Sequence, residues 1–469
     1  MLGLLGSLDL GARSLQTQQL GVEVAGHNLA NVNNPAYSRQ RVRLETAPAV
    51  AGPAGPQGTG CQAAGIQQLR DFFLDRQVAA EASVTGDLQA QQQALQQAQT
   101  ALGQVLDGTQ QAGDAAAGSS FGIAEGLTGL LNSFQSLSAD PTSLTQRQGV
   151  LQDAQALADQ FNQTDQRLDA LRGGLNDSVQ ADVGQINQLL ADVAQLNQQV
   201  ASVENGSDGS ANDLRDLRQS KLEELSKLVK VQAGAGPNGA VNLAIAGVEM
   251  VSGDQLSNTL EAYDAGGGQW LVREQAGGTQ VSPAGGHLAG TIGARDGVVA
   301  ALRSQLDTLA SELITQVNTL HGAGFSLTGT TGEAFFTGTG AATIQVNQRL
   351  LDNPALLQAS GTAGAAADNQ VALALAQLKD QKLANLNGQT LGQSYGLAVA
   401  QLGHALASVN NQVDTQKVLG DLLESQRQAV SGVSLDEEMT DLMKYQKAYQ
   451  ASARLITTVN DMLQTLLTM

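Results

Sequence analysis

The side chains whose chemistry is easiest to recognise are four histidines and one cysteine, and their spacing indicates no active site. The histidines are isolated along the chain and form no H-E-x-x-H or other close ligand pattern; they are His27, His287, His321 and His404. His321 stands near the end of a predicted helix, where a protonated imidazole suits the helix dipole, and this role is favoured over the edge of a site. Cys61 lies in a loop rich in Gly and Ala, with no base beside it in sequence. A structural or incidental thiol is therefore favoured over an active-site thiol.

Three successive carboxylates, Asp436, Glu437 and Glu438, could hold a metal ion or act as a paired acid and base. Adjacent residues do not share one face of a helix, which argues against both uses. Ser434 and Glu437 instead have the S-x-x-E spacing of a capping box, and acidic residues in a first turn complement the helix dipole. The chain also lacks a Walker A sequence, and no G-x-G-x-x-G or G-x-S-x-G stands in the strand-to-helix turn that gives these motifs their function. We therefore predict no enzyme, no catalytic residues, no metal site and no cofactor.

The helix that begins at these carboxylates runs to the end of the sequence without a proline. Its apolar residues recur every seven positions, at Leu435, Leu442, Tyr449, Ile456 and Leu463. A one-sided helix of roughly 50 Å is stable only when its apolar face is covered. The row therefore predicts a seam that packs against another helix.

A second row of the same period lies at the beginning of the chain, at Leu8, Leu15, Val22 and Leu29. Because the two periods match, the two ends can pair as a coiled coil, although an amphipathic helix of an ordinary globular domain would show the same row. We expect both rows to form the interface through which subunits assemble.

Composition narrows the choice of partner. The formal charge is -19, from 25 basic and 44 acidic residues, which argues against a nucleic-acid backbone or an anionic membrane surface. The sequence contains no run of 18 apolar residues, so it predicts no membrane span. Its first residues lack the basic region and cleavage site of a classical signal peptide.

The pattern of periods predicts a mainly α fold with a small inserted β domain. Helical periodicity fills most of the chain, including a helix from about Ile66 to Leu106 and another that starts at Asp140 and Pro141, whereas alternation after Val229 predicts strands. We expect an elongated, folded-back rod with paired terminal helices and the β domain as a knob at its far end. The predicted domains are a terminal coiled-coil assembly domain (1–45 and 425–469), a helical rod domain (46–228 and 285–424) and the β domain (229–284).

Several separate stretches resemble the flagellar hook-associated protein 1 family of flagellar axial proteins. They are N-L-A-N-V-N-N-P-A-Y-S-R-Q at 28–40, V-N-T-L-H at 317–321, G-E-A-F-F at 332–336, S-G-V-S-L-D-E-E at 431–438 and Y-Q-A-S-A at 449–453. The residues that carry the family motifs are Asn31, Pro35, Tyr37, Arg39, Ser434, Asp436, Glu437 and Glu438. The family usually has glycine where this chain has Ala36, so the turn before Tyr37 is expected to differ slightly.

The resemblance implies a structural protein that is exported unfolded through the flagellar type III apparatus to the outside of the cell. It would assemble with itself as a ring on the hook protein and carry the second hook–filament junction protein on its other side. It also implies a dedicated export chaperone that binds the C-terminal helix, at Leu442, Tyr449, Ile456 and Leu463.

Two other functions compete with this one. A flagellin or the second junction protein would share the paired terminal helices but lack this pair of terminal motifs. A non-flagellar coiled-coil adhesin or secreted effector would explain the seven-residue rows, but it gives no reason for the two ends to meet.

Overall fold

The computed structural model describes residues 3–52, 55–103, 122–204 and 211–468, and most of them are helical. The helices are α1 (Leu4–Ala30), α2 (Phe72–Ala101), α3 (Ile123–Ala139), α4 (Leu144–Glu204), α5 (Asn212–Leu228), α6 (His287–Ala294), α7 (Ala300–Gly322), α8 (Gln348–Asp352), α9 (Gln370–Gln377), α10 (Leu391–Ser431) and α11 (Leu435–Thr468). A π-helical turn, Arg295–Val299, joins α6 to α7. The mainly α fold class and its elongated form are confirmed.

The strands form small antiparallel sheets. They are β1 (Gln40–Thr46), β2 (Val50–Gly52), β3 (Gly55–Gln57), β4 (Cys61–Gln68), β5 (Val231–Ala235), β6 (Val241–Ile245), β7 (Val248–Ser252), β8 (Gln255–Leu256), β9 (Leu260–Asp264), β10 (Trp270–Glu274), β11 (Phe336–Thr337) and β12 (Gln345–Val346). Strands β5 to β8 make one four-stranded sheet in sequence order, while β1 pairs with β4, and β2, β9 and β11 pair with β3, β10 and β12.

Helix α4 sets the length of the molecule, since its 61 residues span about 90 Å. Two apolar cores lie along it, one after the other. The first core joins its N-terminal half, up to Leu175, to α2, α3, α7, α9 and α10. The second joins the half from Val179 onward to α5 and to strands β6, β7, β9 and β10.

Three asparagines of α4 hold the inserted strands along this second half. The side-chain amide of Asn176 donates to Gly268 O (2.7 Å), that of Asn187 to Leu260 O (2.8 Å) and that of Asn197 to Val241 O (2.8 Å). They are ten or eleven residues apart, which is about three helical turns and keeps them on one face. The inserted segment therefore lies along the second half of α4.

This arrangement corrects the predicted position of the β domain. The chain enters and leaves the insert at one place, where Lys230 N donates to Gly285 O (3.2 Å). Helix α5, which leads into it, starts beside the segment that follows α1, because Gln40 Nε2 donates to Asp213 Oδ1 (2.8 Å). The insert thus lies on the half of the rod nearest the chain ends and not at the far end, because its strands cover the apolar face of α4.

Two helices begin at other residues than predicted. Strand β4 occupies Cys61–Gln68, so α2 begins only at Phe72, where the Asp71 carboxylate accepts from Phe73 N (2.8 Å). Asp140 and Pro141 form the turn between α3 and α4 instead of starting a helix. Among the helices of the described ranges, none combines the length and the hydropathy of a membrane span.

Candidate assembly interface

The two terminal helices pack against each other in opposite directions. Ser14 Oγ lies 2.8 Å from Ser452 Oγ, Asn28 Nδ2 donates to Glu438 Oε2 (2.9 Å), and Gly11 faces Ile456. As the number rises along α1, it falls along α11. The structure therefore brings the two ends of the sequence together as an antiparallel pair.

Small residues of α1 form the line of closest approach. A Cβ placed on Gly21 would lie 2.6 Å from the ring of Tyr445, and one on Gly11 would lie 2.7 Å from Ile456. On α11 the facing row is Glu438, Tyr445, Ser452 and Val459, which recurs every seven residues. Glycine weakens a helix by roughly 1 kcal/mol relative to alanine, so these positions trade helix propensity for close contact.

The rows chosen from the sequence lie beside this line. Leu8, Leu15, Val22 and Leu29 are half-buried, as are Leu442, Ile456 and Leu463. Leu435 and Tyr449 are 51% and 41% exposed. Only part of each row is therefore covered within one chain, and the role of these residues between subunits stays a prediction.

A cluster of polar side chains closes the pair at the C-terminal end of α1. We call it the terminal polar cluster; its members are Asn28, Tyr37, Arg39, Gln40, Asp213, Asp216, Glu437 and Glu438. Its members are far apart in the sequence, because they come from α1, the segment after it, α5 and α11.

Asn28 is the central amide of the terminal polar cluster and is 1% exposed. Its Nδ2 donates to Gln40 O (2.8 Å) and Glu438 Oε2 (2.9 Å). Its Oδ1 accepts from Gln40 N (3.0 Å) and from Tyr37 Oη (2.8 Å). With its donors and acceptors used, this buried side chain ties three separate segments together.

Arg39 supplies the positive charge of the cluster. Its Nε donates to Glu438 Oε1 (2.6 Å) and its Nη1 to Glu437 Oε2 (2.5 Å), while Asp441 lies 3.9 Å away. Burial alone would lower the pKa of Arg39, but the hydrogen bonds and charges of Glu437 and Glu438 outweigh it and raise the pKa. The backbone of Arg39 is also held, because Arg39 N donates to Ser431 O (2.8 Å) at the C-terminal end of α10.

Two carboxylates of α5 hold the same segment from the side of the rod. Asp216 Oδ2 accepts from Ser38 N (3.0 Å), and its Oδ1 accepts from Arg70 Nη1 (3.1 Å). Burial raises the pKa of Asp216, although the Ser38 amide and Arg70 partly offset it. Burial, followed by the charges of Asp213, Asp216 and Glu438, also raises the pKa of Tyr37. The phenol of Tyr37 is thereby kept protonated as a donor to Asn28.

The remaining motif residues shape the turns. Asn31 Nδ2 donates to His27 O (3.0 Å) where α1 ends. Asn34 Oδ1 accepts from Ala36 N (3.1 Å), and Pro35 is exposed. Within the described ranges Ala36 has no positive φ, so this turn forms without the glycine that the family usually places there.

The capping box predicted at α11 is not formed. Ser434 and Asp436 are exposed, and Glu437 contacts Arg39 instead of reaching back to the helix start. A capping box does form at α10, between Thr390 and Gln393. Glu437 is recruited elsewhere because Arg39 offers a full opposite charge.

Two of the histidines, His321 and His287, make structural contacts. His321 is fully buried: its Nδ1 lies 2.8 Å from Glu333 O, and its Nε2 accepts from Gln358 N (2.9 Å). Burial lowers the pKa of His321 to about 4, which corrects the expected protonated form at a helix end. His287 Nδ1 lies 2.7 Å from Asp182 Oδ2. Over the part of the chain that the structure describes, no three His, Cys, Asp or Glu side chains come together as a metal site.

Sequence reasoning missed Asn28, Gly11, Gly21, Asp213 and Asp216. Gly11, Gly21 and Asn28 stand on one helical face at intervals of ten and seven, and a search for small residues at seam positions would have found the two glycines. No local signal marks Asp213 or Asp216, because their partners lie far away in the sequence.

Comparisons with known proteins find similarity to flagellar proteins. A family model described as "Flagellar hook-associated protein FlgK helical domain" matches residues 109–336, and one described as "Flagellar basal body rod FlgEFG protein C-terminal" matches residues 424–469. The flagellar hook-associated protein 1 of Bacillus subtilis is 28% identical over 504 residues, covering 97% of this chain and 96% of that protein. The protein of the same name from Escherichia coli is 23% identical, with coverages of 95% and 96%.

A solved structure shares the fold. The flagellar hook junction protein FlgK from Burkholderia pseudomallei superposes with a TM-score of 0.62 at 17% identity. The match covers 76% of this chain and 100% of that chain.

Proposed function

We propose that this chain is a member of the flagellar hook-associated protein 1 family and that it joins hook to filament through self-assembly of its paired terminal helices. It is a structural protein of the bacterial flagellum, and its family is a structural one. We further propose that it has no catalytic activity and binds no nucleic acid or membrane.

The observation that carries the assembly mechanism is the apolar surface that the α1–α11 pair leaves uncovered. Leu5 is 74% exposed, Met443 56% and Leu467 86%, in addition to the exposed members of the seven-residue rows. Large exposed apolar surfaces mark sites of protein interaction. Copies of the same pair, stacked side by side, would cover them, with contacts at Leu8, Leu15, Val22, Leu29, Leu435, Leu442, Tyr449, Ile456 and Leu463.

We assign this assembly role to residues 1–45 and 425–469, with 46–228 and 285–424 as the rod and 229–284 as the β domain. The terminal polar cluster supports this division, because its contacts set the orientation of the α1–α11 pair on the rod.

The proposed partners are other copies of this chain, the hook protein, the second junction protein and a dedicated export chaperone. The chain would leave the cell through the flagellar type III apparatus and reside in the extracellular flagellum. For the chaperone we propose Leu442, Tyr449, Ile456 and Leu463. A chain truncated at Gly432 should therefore lose chaperone binding, and undiminished binding would remove this part of the proposal.

A deletion strain tests the junction role. We expect intact hooks, no filaments and filament subunits shed into the medium, with filaments restored by the full chain. A flagellin deletion would shed no such subunits. The second junction protein is distinguished by a further strain: hooks isolated from cells without that protein should retain this chain. Normal filaments in the deletion strain would contradict the proposal.

A further inference from the structure

Four helical segments run side by side through the middle of the rod, and their contacts show which residues share a level. Helices α2 and α6 run in the same direction, because Gly286 N donates to Ser83 O (2.9 Å) and Gly290 lies against Asp87. Arg295 and Gln92 each lie nine residues beyond that hydrogen bond, so they stand at the same level.

The other two helices meet this level through hydrogen bonds. Gln92 Nε2 donates to Asn410 Oδ1 of α10 (2.7 Å), and Arg295 Nη1 donates to Asn176 Oδ1 of α4 (2.8 Å). Each of the four segments therefore contributes a polar side chain to one cross-section. We call Gln92, Asn176, Arg295, Asp296 and Asn410 the polar layer.

The polar layer lies where one apolar core gives way to the other. On α4 the first core ends at Leu175 and the second begins at Val179. On the α6 side the second core includes Leu288, and the first begins at Ala294. The two cores are thus stacked along the rod with polar groups between them.

Arg295 is the best-buried member of the layer, with 2% of its surface exposed. It donates to Asn176 Oδ1, to Trp270 O (2.6 Å) and to both carboxylate oxygens of Asp296 (2.7 and 2.9 Å). These partners come from α4, β10 and its own turn. Hydrogen bonds of this kind can exchange partners or admit water, whereas a close-packed apolar core cannot shift without opening voids.

The helix backbone is weakened at the same level on two of the four segments. Arg295–Val299 is a π-helical turn that includes Gly297, and α4 carries Gly173 and Gly174 just before Asn176. A Cβ at any of these three glycines would meet open space, whereas one at Gly86 would strike the backbone of Lys227. Packing therefore explains Gly86 but not the other three. Helix bends occur at π turns and at glycines.

We propose that the rod bends at the polar layer, with each apolar core moving as a unit. The bend changes the angle between the half of the rod that carries the terminal polar cluster and the far half. This inference goes beyond the junction role, because it rests on the interior of the rod and makes no use of the assembly surface.

Pairs of spin labels on the outer face of α4 test the bend in the full chain, with Cys61→Ala as background. Cysteines at Gln163 and Ala181 span the layer, and cysteines at Gln148 and Gln166 lie within the first core. All four positions are exposed. The two cysteines of each pair are eighteen residues apart, so they lie on one face of α4 and are separated by about 27 Å.

We expect the distance distribution across the layer to be roughly twice as wide as that within the core, since bends localise at glycines and π turns. Replacing Gly173, Gly174 and Gly297 by Ala should narrow the first distribution to the width of the second. Gly129→Ala with Gly149→Ala is the matched control, because these helical glycines also face open space but lie away from the layer.

Equal widths for the two pairs in the unsubstituted chain would overturn the proposal. So would a narrowing by the control substitutions as large as that by the layer substitutions, or no narrowing by the layer substitutions in a chain of unchanged helix content.

Discussion

Arg39 and Glu438, which are 399 positions apart, form a buried ion pair with 2.6 Å between Nε and Oε1. Their side chains are 10% and 3% exposed. One belongs to the segment after α1 and the other to the first turns of α11, so neither is compensated fully until both ends of the chain are folded. The pair couples the two ends energetically as well as in space.

The first prediction concerns this pair. Arg39→Met should destabilise the terminal helices by about 3 kcal/mol or more, because it leaves Glu438 buried without its cation. Adding Glu438→Gln should recover much of the loss. Amide exchange in α1 and α11 measures both effects.

The control lies on the neighbouring strand. Arg43 and Glu45 form an exposed ion pair at 3.4 Å, with side chains 59% and 53% exposed. Arg43→Met should change stability by less than about 0.5 kcal/mol. If Arg39→Met changes stability as little as Arg43→Met does, Glu438 is well solvated without its partner.

The second prediction compares two glycines of α1. Gly21→Ala should weaken the α1–α11 pair, because the new methyl group collides with the Tyr445 ring. Gly26→Ala faces open space and should stabilise the helix by up to roughly 1 kcal/mol. Thermal unfolding and protease resistance of the two variants give the comparison. Equal stabilisation of both would mean that the helices can separate freely at Tyr445.

The third prediction concerns acid stability. The pKa of His321 is about 4 in the folded protein and about 6.5 when unfolded, so the unfolded state binds more protons between these values. Stability should be fully present above pH 6.5 and should fall by about 3 kcal/mol as the pH drops toward 4.

Urea unfolding at about pH 7 and about pH 4.5 measures this loss, and the His321→Gln variant should lack that share of the pH dependence. His404→Gln is the control, since His404 is exposed. An unaltered pH slope in His321→Gln would assign the acid sensitivity to carboxylates instead.

The fourth prediction has the opposite sign. The hydrogen bond to Asp182 raises the pKa of His287 above its ordinary value, despite partial burial. Its contribution to stability should be present below about pH 6.5 and should disappear as the pH rises through the folded pKa. The stability difference between the parent chain and His287→Gln should therefore shrink at alkaline pH. Asp182→Asn should remove the same pH-dependent contribution to the free energy of unfolding. A stability difference between the parent chain and His287→Gln that stays constant with pH would contradict this prediction.

The fifth prediction separates assembly from folding. Leu435→Glu and Tyr449→Glu place charges on exposed apolar positions, so the isolated chain should keep its stability within about 0.5 kcal/mol. Cells carrying them should nevertheless shed filament subunits, as the deletion strain does. Gln412→Glu on the exposed side of α10 serves as the control and should leave filaments normal. Normal filaments in all three strains would remove these two residues from the interface.

Periodicity was sufficient to predict the helical rod and the meeting of the two ends, because heptads and helix periods are local properties of a sequence. It selected Leu8 and Leu15, which are half-buried, whereas the closest contacts between the two helices within one chain lie at the smaller Gly11 and Ser14 beside them. Leucine rows indicate an apolar face, but the line of closest approach is set by which side chains allow the backbones to come near.

Contacts between distant segments were beyond such reasoning. Nothing near Asp216 in the sequence indicates that it accepts from the Ser38 amide, and the alternation after Val229 indicates strands without indicating where they pack. The same limit affected Glu437, whose local spacing suits a cap but whose charge is used by Arg39.

The three asparagines along α4 restrict what evolution or an engineer can place in the insert. Its two ends meet at the bond between Lys230 and Gly285, so a replacement segment would leave and rejoin the rod at one place. Any replacement must still offer carbonyl oxygens to Asn176, Asn187 and Asn197 and an apolar surface to the helix between them. Helix α4 therefore selects among possible inserts, because a segment that packs along it needs hydrogen-bond acceptors opposite all three asparagines.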